Sequence, residues 1–206
     1  MIIGICGFIG SGKDTVADYL VTKYDFRRES FAGSLKDAVA AVFSWDREKL
    51  EGLTPEAREW REQTDTWWTE RLGTTVTPRL MLQLWGTEVC RRGFHDDIWT
   101  ASVEAKLKNT AQHVVISDCR FPNEVESIRR MGGKIVRVIR GENPSWYETA
   151  LDANLGDPFA RARLADLGIH ASETSWVGTK FDAEIYNNGT LDELYQASQN
   201  LARKLI

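Results

Sequence analysis

The chain is short of most things that hold small secreted or metal-dependent proteins together. It has three cysteines, Cys6, Cys90 and Cys119. Their odd number and wide spacing exclude a disulfide scaffold and a thiolate metal cluster, and read as reduced thiols of an intracellular protein. Cys6 and Cys119 adjoin expected strands, where a small buried residue suits. His95, His113 and His170 are scattered without ligand spacing, so no metal is assigned to them. Positive charge is not in excess: the net charge is −4 and the pI about 5.5. No global field therefore draws the chain to nucleic acid or to an anionic membrane, and an anionic ligand must be held by local Arg and Lys. No apolar run approaches the ~20 residues of a membrane helix. The apolar start is short and lacks a basic leader, so a soluble cytoplasmic protein is expected. Repeats and low-complexity tracts are absent. The 42% apolar content of the 206 residues supplies the core of a single domain carrying inserted segments.

What is present begins at the seventh residue. Gly7-Phe8-Ile9-Gly10-Ser11-Gly12-Lys13-Asp14-Thr15 follows the apolar stretch Ile2-Ile3-Gly4-Ile5-Cys6 and precedes Thr15–Val21, which has apolar residues at helical spacing. Strand, glycine loop and helix are the setting of a phosphate loop. The glycines let main-chain N–H groups curl inward on a phosphate chain. The helix adds its positive end, and Lys13 adds a charge near the β/γ-phosphates. The usual Ser/Thr after the lysine, a Mg²⁺ ligand, is replaced by Asp14, with Thr15 one place later. That shift, also found in kinases of the adenylate kinase type, points to metal held mainly by nucleotide and water.

Further elements alternate. Short strands are expected at Glu29–Ala32, His113–Asp118, Lys134–Ile139 and Ala183–Asn187. Helices are expected at Leu35–Phe43 and Asn123–Met131, the latter stopped by Gly132-Gly133. A last helix is opened by the capping box Thr190-Leu191-Asp192-Glu193. Such alternation predicts an α/β fold with a five-stranded parallel sheet, helices on both faces, and ligands at the carboxyl ends of the strands.

Residues just after the strands therefore carry the chemistry. Asp118 can hold a Mg²⁺-bound water as a Walker B carboxylate does, or can cap the turn Cys119-Arg120-Phe121-Pro122. Arg120 suits a fork that grips phosphate oxygens during transfer. Arg140 stands where the chain leaves the Lys134–Ile139 strand. Thr77 and Pro78 open a helix running through Val89. In it Met81, Leu82, Trp85 and Val89 form a core stripe, while Arg79, Gln83 and Gly86 line another face. These offer a phosphate-binding cation, an amide able to read a base edge, and room for close approach or for helix–helix contact. Trp99 either stacks on a base or fills core. The charged stretch Asp46–Thr77 places Ala57, Trp60, Trp67 and Trp68 on one helical face beside Arg58 and Arg61. It suits an acceptor-binding subdomain or a helical cover. Gly141–Lys180, rich in turn residues and carrying Arg161 and Arg163, reads as a lid or a surface loop.

Together these blocks resemble the deoxynucleoside monophosphate kinases of tailed bacteriophages, members of the P-loop nucleoside monophosphate kinase superfamily. The resemblance rests on Ser11–Thr15, on Ala32-Gly33 with Lys36, and on Arg79-Leu80-Met81 through Gly86-Thr87. It continues through Phe94, Trp99, Val115–Arg120, Met131-Gly132 and Asn188–Glu193. The chain departs from the pattern over Asp46–Thr77 and has a longer Gly141–Lys180 segment. The resemblance implies one kinase domain with a helical acceptor-binding insertion over roughly 36–110 and a lid over roughly 141–180. It also implies transfer of the γ-phosphate of ATP, with Mg²⁺, to a deoxynucleoside 5′-monophosphate, in a homodimer. Carried over by position, Gly10, Ser11, Gly12, Lys13, Asp14 and Thr15 hold the donor phosphates and Asn188-Gly189 borders the adenine. Lys36, Arg61, Arg79, Gln83, Gly86, Thr87 and Trp99 form the acceptor site. Catalytic roles fall to Lys13, Asp118, Arg120 and Arg140, with Asp118 reaching the metal through water. Rival readings are another small-molecule kinase, such as one acting on dephospho-coenzyme A, and an ATP-binding module without catalysis.

Overall fold

Five strands, β1 (Ile2–Cys6), β2 (Arg27–Glu29), β3 (Val114–Ile116), β4 (Lys134–Ile139) and β5 (Ala183–Tyr186), form one sheet in the order β2-β3-β1-β4-β5. Every pairing is parallel. The computed structural model describes residues 1–205. Its chain divides into two compact units, one of residues 1–30 and 107–206, the other Phe31–Lys106.

The first unit holds the sheet. Its central strands are largely apolar because helices cover both faces of a parallel sheet, Arg137 of β4 being the buried exception. Ile3, Ile5, Val136 and Val138 pack with Val16 and Leu20 of α1 (Lys13–Tyr24) and with Leu194 and Leu201 of the C-terminal helix, Leu191–Leu205. On the other face, Ile128 of the helix Pro122–Arg130 lies over Gly4 and Ile135. β2 begins earlier than expected, since Arg27–Glu29 rather than the stretch to Ala32 pairs with Val114–Ile116. It is an edge strand, where charged residues are tolerated and the apolar signal fades. The expected capping box forms: the Thr190 N–H donates to Glu193 Oε2 at 2.6 Å, and the Glu193 N–H to Thr190 Oγ1 at 3.3 Å.

Cys6 and Cys119 are fully buried here. The Cys119 thiol is pushed well up by its hydrogen bond with Cys6 and by burial. Cys90, half-buried, belongs to the second unit. An aromatic disulfide reagent at about pH 8 is therefore expected to titrate one thiol in the native protein and all three after denaturation. Two fast thiols in the native protein would contradict the burial.

The second unit is helical: α2 (Gly33–Phe43), α3 (Arg47–Glu51), α4 (Pro55–Glu62), α5 (Thr66–Leu72), α6 (Pro78–Gln83), a π-helix (Leu84–Arg92) and α7 (Ile98–Leu107), whose last residue lies past the unit's end. Its core joins Leu35, Val39, Phe43, Leu50, Val76, Met81 and Trp99, rimmed by Trp45, Trp60, Trp68 and Trp85. Phe43 stacks on Trp45 at 4.5 Å and meets Trp68 edge-on at 4.9 Å. The half-buried indoles keep polar partners, Trp45 Nε1 on Asp65 Oδ2 at 2.8 Å and Trp68 Nε1 on the Phe43 carbonyl at 3.1 Å.

Two expectations are corrected here. Ala57, Trp60, Trp67 and Trp68 do not share one helical face, because Gln63–Asp65 breaks the segment into α4 and α5. Ala57 is buried, whereas Trp67 is 62% exposed. The helix from Thr77, capped as expected by Thr77 Oγ1 on the Leu80 N–H, does not stay α through Val89. It widens at Leu84 into i→i+5 bonding. Counting at α spacing then misplaces side chains, and Val89 is exposed rather than in the core stripe.

Candidate active site

β1 ends at Cys6 and the loop Gly7–Gly12 leads directly into α1. Gly12 stands at the N-cap with φ 102° and no side chain caps the helix, so the first N–H groups of α1 lack intrahelical acceptors. Lys13 Nζ folds back on the loop, donating to the Gly7 and Phe8 carbonyls, each at 2.8 Å. Burial, and after it the neighbouring Arg120, push the Lys13 ammonium below its usual pKa, while Asp14 and Glu173 oppose the shift. Ser11 Oγ is buried with no hydrogen-bond partner. An orphaned hydroxyl, a desolvated cation and open helix amides fit the oxygens of a phosphate chain.

Asp14 is exposed and Thr15 half-buried in the first turn of α1. Arg28 of β2 forms ion pairs with Asp14 and with Asp18, and Ser117 Oγ donates to Asp14 Oδ1 at 2.8 Å. The carboxylate that replaces the usual metal-binding hydroxyl is thus already partnered. Asp118, past the end of β3, accepts from Ser30 Oγ at 2.7 Å. No group of three or more acidic, His or Cys residues that could hold a metal occurs among the described residues. A metal carried on nucleotide oxygens and waters needs only one or two carboxylates, and Asp118 fits that requirement.

Arg120 is placed by its backbone. Its N–H donates to Glu124 Oε2 at 2.7 Å, and Glu124, nearly fully buried in the first turn of α8 (Pro122–Arg130), also accepts from the Phe121 N–H at 3.1 Å. Its guanidinium pairs with Glu173 at 2.6 Å. Arg140 is exposed just past β4. Asn188 Oδ1 accepts from the Gly141 N–H at 2.7 Å, tying the ends of β4 and β5 together, and Gly189 lies against the Glu193 carboxylate. Arg28, Asn187 and Glu173 are contributors that sequence reasoning missed. Asn187 Nδ2 donates to the Ser11 carbonyl at 2.9 Å and so pins the phosphate loop from β5.

The Gly141–Lys180 segment folds as three helices, α9 (Tyr147–Asn154), α10 (Pro158–Asp166) and α11 (Ala171–Thr174). Phe8 of the phosphate loop meets Trp146 edge-on at 5.4 Å and Trp176 at 4.7 Å. Arg137, buried within β4, lies against the rings of Tyr147, Trp176 and Phe181 and bonds Asn143 at 2.7 Å.

In the second unit Lys36 is ion-paired with Glu51, which also takes Arg47 Nη1 at 2.6 Å. Burial works to raise Glu51, but Lys36 and then Arg47 hold it below its ordinary pKa. Arg61 lies flat on Gly52 and reaches the Leu50 carbonyl at 3.4 Å. Its buried Nε has no partner. Burial, and next the nearby Arg79, push it below its usual pKa. Arg79 is exposed, 3.3 Å from Glu62. Gln83 is exposed and Thr87 half-buried. Gly86 and Trp99 are core: a Cβ on Gly86 would stand 2.8 Å from Leu35 Cδ2, and Trp99 Nε1 donates to the Gly86 carbonyl at 3.0 Å. The missing side chain thus serves helix–helix contact, and Trp99, only 8% exposed, fills core.

A glycine loop between the central strand of a parallel sheet and a helix, with Lys13, Asp118 and Arg120 at one end of that sheet, defines a phosphate-loop kinase. No family model matches the chain. It is 31% identical over 208 residues to a provisional deoxynucleotide monophosphate kinase of Acanthamoeba polyphaga mimivirus, spanning 95% of this chain and 92% of that protein. The chain belongs to the deoxynucleotide monophosphate kinase family. A deoxynucleoside-5′-monophosphate kinase of Escherichia phage T5 is 40% identical over 73 residues, 32% of this chain and 29% of that protein. Among solved structures, shikimate kinase from Bacteroides thetaiotaomicron matches with TM-score 0.47 and 16% identity, over 100% of this chain and 98% of that one. No helix among the described residues is long and apolar enough to cross a membrane.

Proposed function

We propose that the protein transfers the γ-phosphoryl group of ATP to a deoxynucleoside 5′-monophosphate, giving the diphosphate, in the cytoplasm. The observation that carries this reading is the relationship to a deoxynucleotide monophosphate kinase over 95% of the chain. A phosphate loop whose lysine and serine lack an anionic protein partner supports it.

Transfer is direct and in line. An acceptor phosphate is already a nucleophile, so positioning and charge neutralisation suffice. Lys13 exchanges its two carbonyl bonds for donor phosphate oxygens, and Ser11 Oγ and the first amides of α1 complete the cradle. Asn188 and Gly189 border the adenine. Arg120 neutralises the moving group, with Arg140 as the second cation at that end of the sheet. Asp118 would hold Mg²⁺ through water, and the ion would supply neutralisation of phosphate charge during transfer. In the second unit Arg79, Arg61 and Lys36 meet the acceptor phosphate. Gln83 and Thr87 face the nucleoside, and Trp99 acts by fixing the backbone at Gly86. The segment 141–180 shields the donor end from water.

Incubation with ATP, Mg²⁺ and each deoxynucleoside monophosphate should yield diphosphates by anion-exchange chromatography. No diphosphate from any of them would overturn the reading. Arg79→Ala is expected to raise the acceptor KM about tenfold or more, with a smaller change in kcat. An unchanged KM removes Arg79 from the site.

A further inference from the structure

One carboxylate at the donor end has no part in the mechanism above. Glu173 of α11 accepts from Arg120 Nη1 at 2.6 Å, and Ser172 Oγ lies 3.5 Å from the same nitrogen. The pair is partly shielded, with side chains 37% and 22% exposed. A helix of four residues does not hold itself, and α11 is held from outside. Asn154 Nδ2 donates to the carbonyls of both Thr174 and Val177 at 2.8 Å. Trp176, 1% exposed, packs on Phe8 of the phosphate loop at 4.7 Å, with the Arg137 guanidinium 5.4 Å from the same ring. Glu173 therefore rides on a platform built against the loop that carries Lys13. Arg120 is pinned at its other end by Glu124.

We propose that Glu173 is a positioning residue for phosphoryl transfer, holding the Arg120 guanidinium beside Lys13 where the moving group is neutralised. The proposal rests on the kinase reading. Two cations brought together without an anion repel, and a long arginine side chain would swing into water. The carboxylate offsets that repulsion and occupies one edge of the guanidinium, leaving its remaining N–H groups for phosphate oxygens. The opposing effects of Arg120 and Glu173 on the Lys13 pKa agree with this placement.

The test is steady-state kinetics on Glu173→Gln, Glu173→Ala and Glu173→Asp, in the wild type and in an Arg120→Ala background. Wild-type turnover is measured first, and its absence would overturn the kinase reading itself. With wild-type turnover established, Glu173→Ala should lower kcat about tenfold to a hundredfold while KM for ATP and acceptor moves less than about threefold. Glu173→Asp should recover part of the loss, and Glu173→Ala should add under about twofold to Arg120→Ala. The near-isosteric Glu173→Gln keeps the packing and should share the kcat loss with an unchanged thermal midpoint. Losses that simply multiply in the double variant would overturn the proposal. So would tighter ATP binding at unchanged kcat, which would make Glu173 a competitor for Arg120 rather than its guide.

Discussion

Lys13→Met is expected to lower kcat about a thousandfold and, without nucleotide, to raise the thermal midpoint by about 2 °C. The two effects share a cause. The ammonium is taken out of water, has only two carbonyl oxygens for partners, and sits beside Arg120; burial first and that arginine second depress its pKa. A charge held this way destabilises the empty protein and is stabilised only when phosphate oxygens arrive. Methionine keeps much of the side-chain volume and removes the desolvated charge. The pH dependence has a definite sign. A lysine whose folded pKa lies below its unfolded value of 10.5 leaves the unfolded state holding more protons between the two values. Wild-type stability therefore gains with rising pH through that window. The stability advantage of the variant should be full below the depressed folded pKa and shrink as pH rises towards 10.5. Calorimetric melts of both proteins across that range, with a coupled assay for turnover, check each part. Near-normal turnover, or a midpoint several degrees lower, would remove Lys13 from this role.

The parts of the fold that were legible are those written locally. β1 is a continuous apolar strand and β4 a mostly apolar one because both faces are covered, and their residues match the expected ranges, Ile2–Cys6 and Lys134–Ile139. The Thr190/Glu193 box needs only neighbours three apart. β2 was misplaced because an edge strand accepts Arg27 and Arg28. The π-helix was invisible because nothing in Leu84–Arg92 distinguishes i→i+5 from i→i+4 bonding, so positions counted from Arg79 drifted. Lys13 was legible through its glycine context. Its surroundings were not, since they are pairings across the chain: Arg28 with Asp14 14 residues away, Glu173 with Arg120 53 away, and Asn187 with Ser11 176 away. No spacing rule reaches such distances. The strand-end positions were anticipated; their partners came from the topology.

Gly12→Ala is expected to abolish ATP binding, and Gly10→Ala to leave it within about tenfold. Both glycines have positive φ, 102° and 77° respectively, so alanine strains either by about 1–2 kcal/mol. They differ in what the new methyl group meets. Around Gly10 nothing lies within 4 Å. At Gly12 the Cβ would stand 2.6 Å from Asn187 Nδ2 and 3.4 Å from Leu194 Cδ2. Asn187 would have to leave, and its bond to the Ser11 carbonyl, of the kind that contributes about 0.5–1.5 kcal/mol, would go with it. The loss falls on the one side chain that fixes the phosphate loop from β5, so the amides at the start of α1 would no longer converge. Gly12→Ala should therefore cost about 2–4 kcal/mol in all, with a midpoint roughly 8 °C lower. Gly10→Ala should show the backbone strain alone. Adding Asn187→Ala separates clash from strain: in that background Gly12→Ala should cost little more than Gly10→Ala does in the wild type. Equal melting shifts and equal heats of ATP binding for the two single variants would show that Asn187 does not hold the loop.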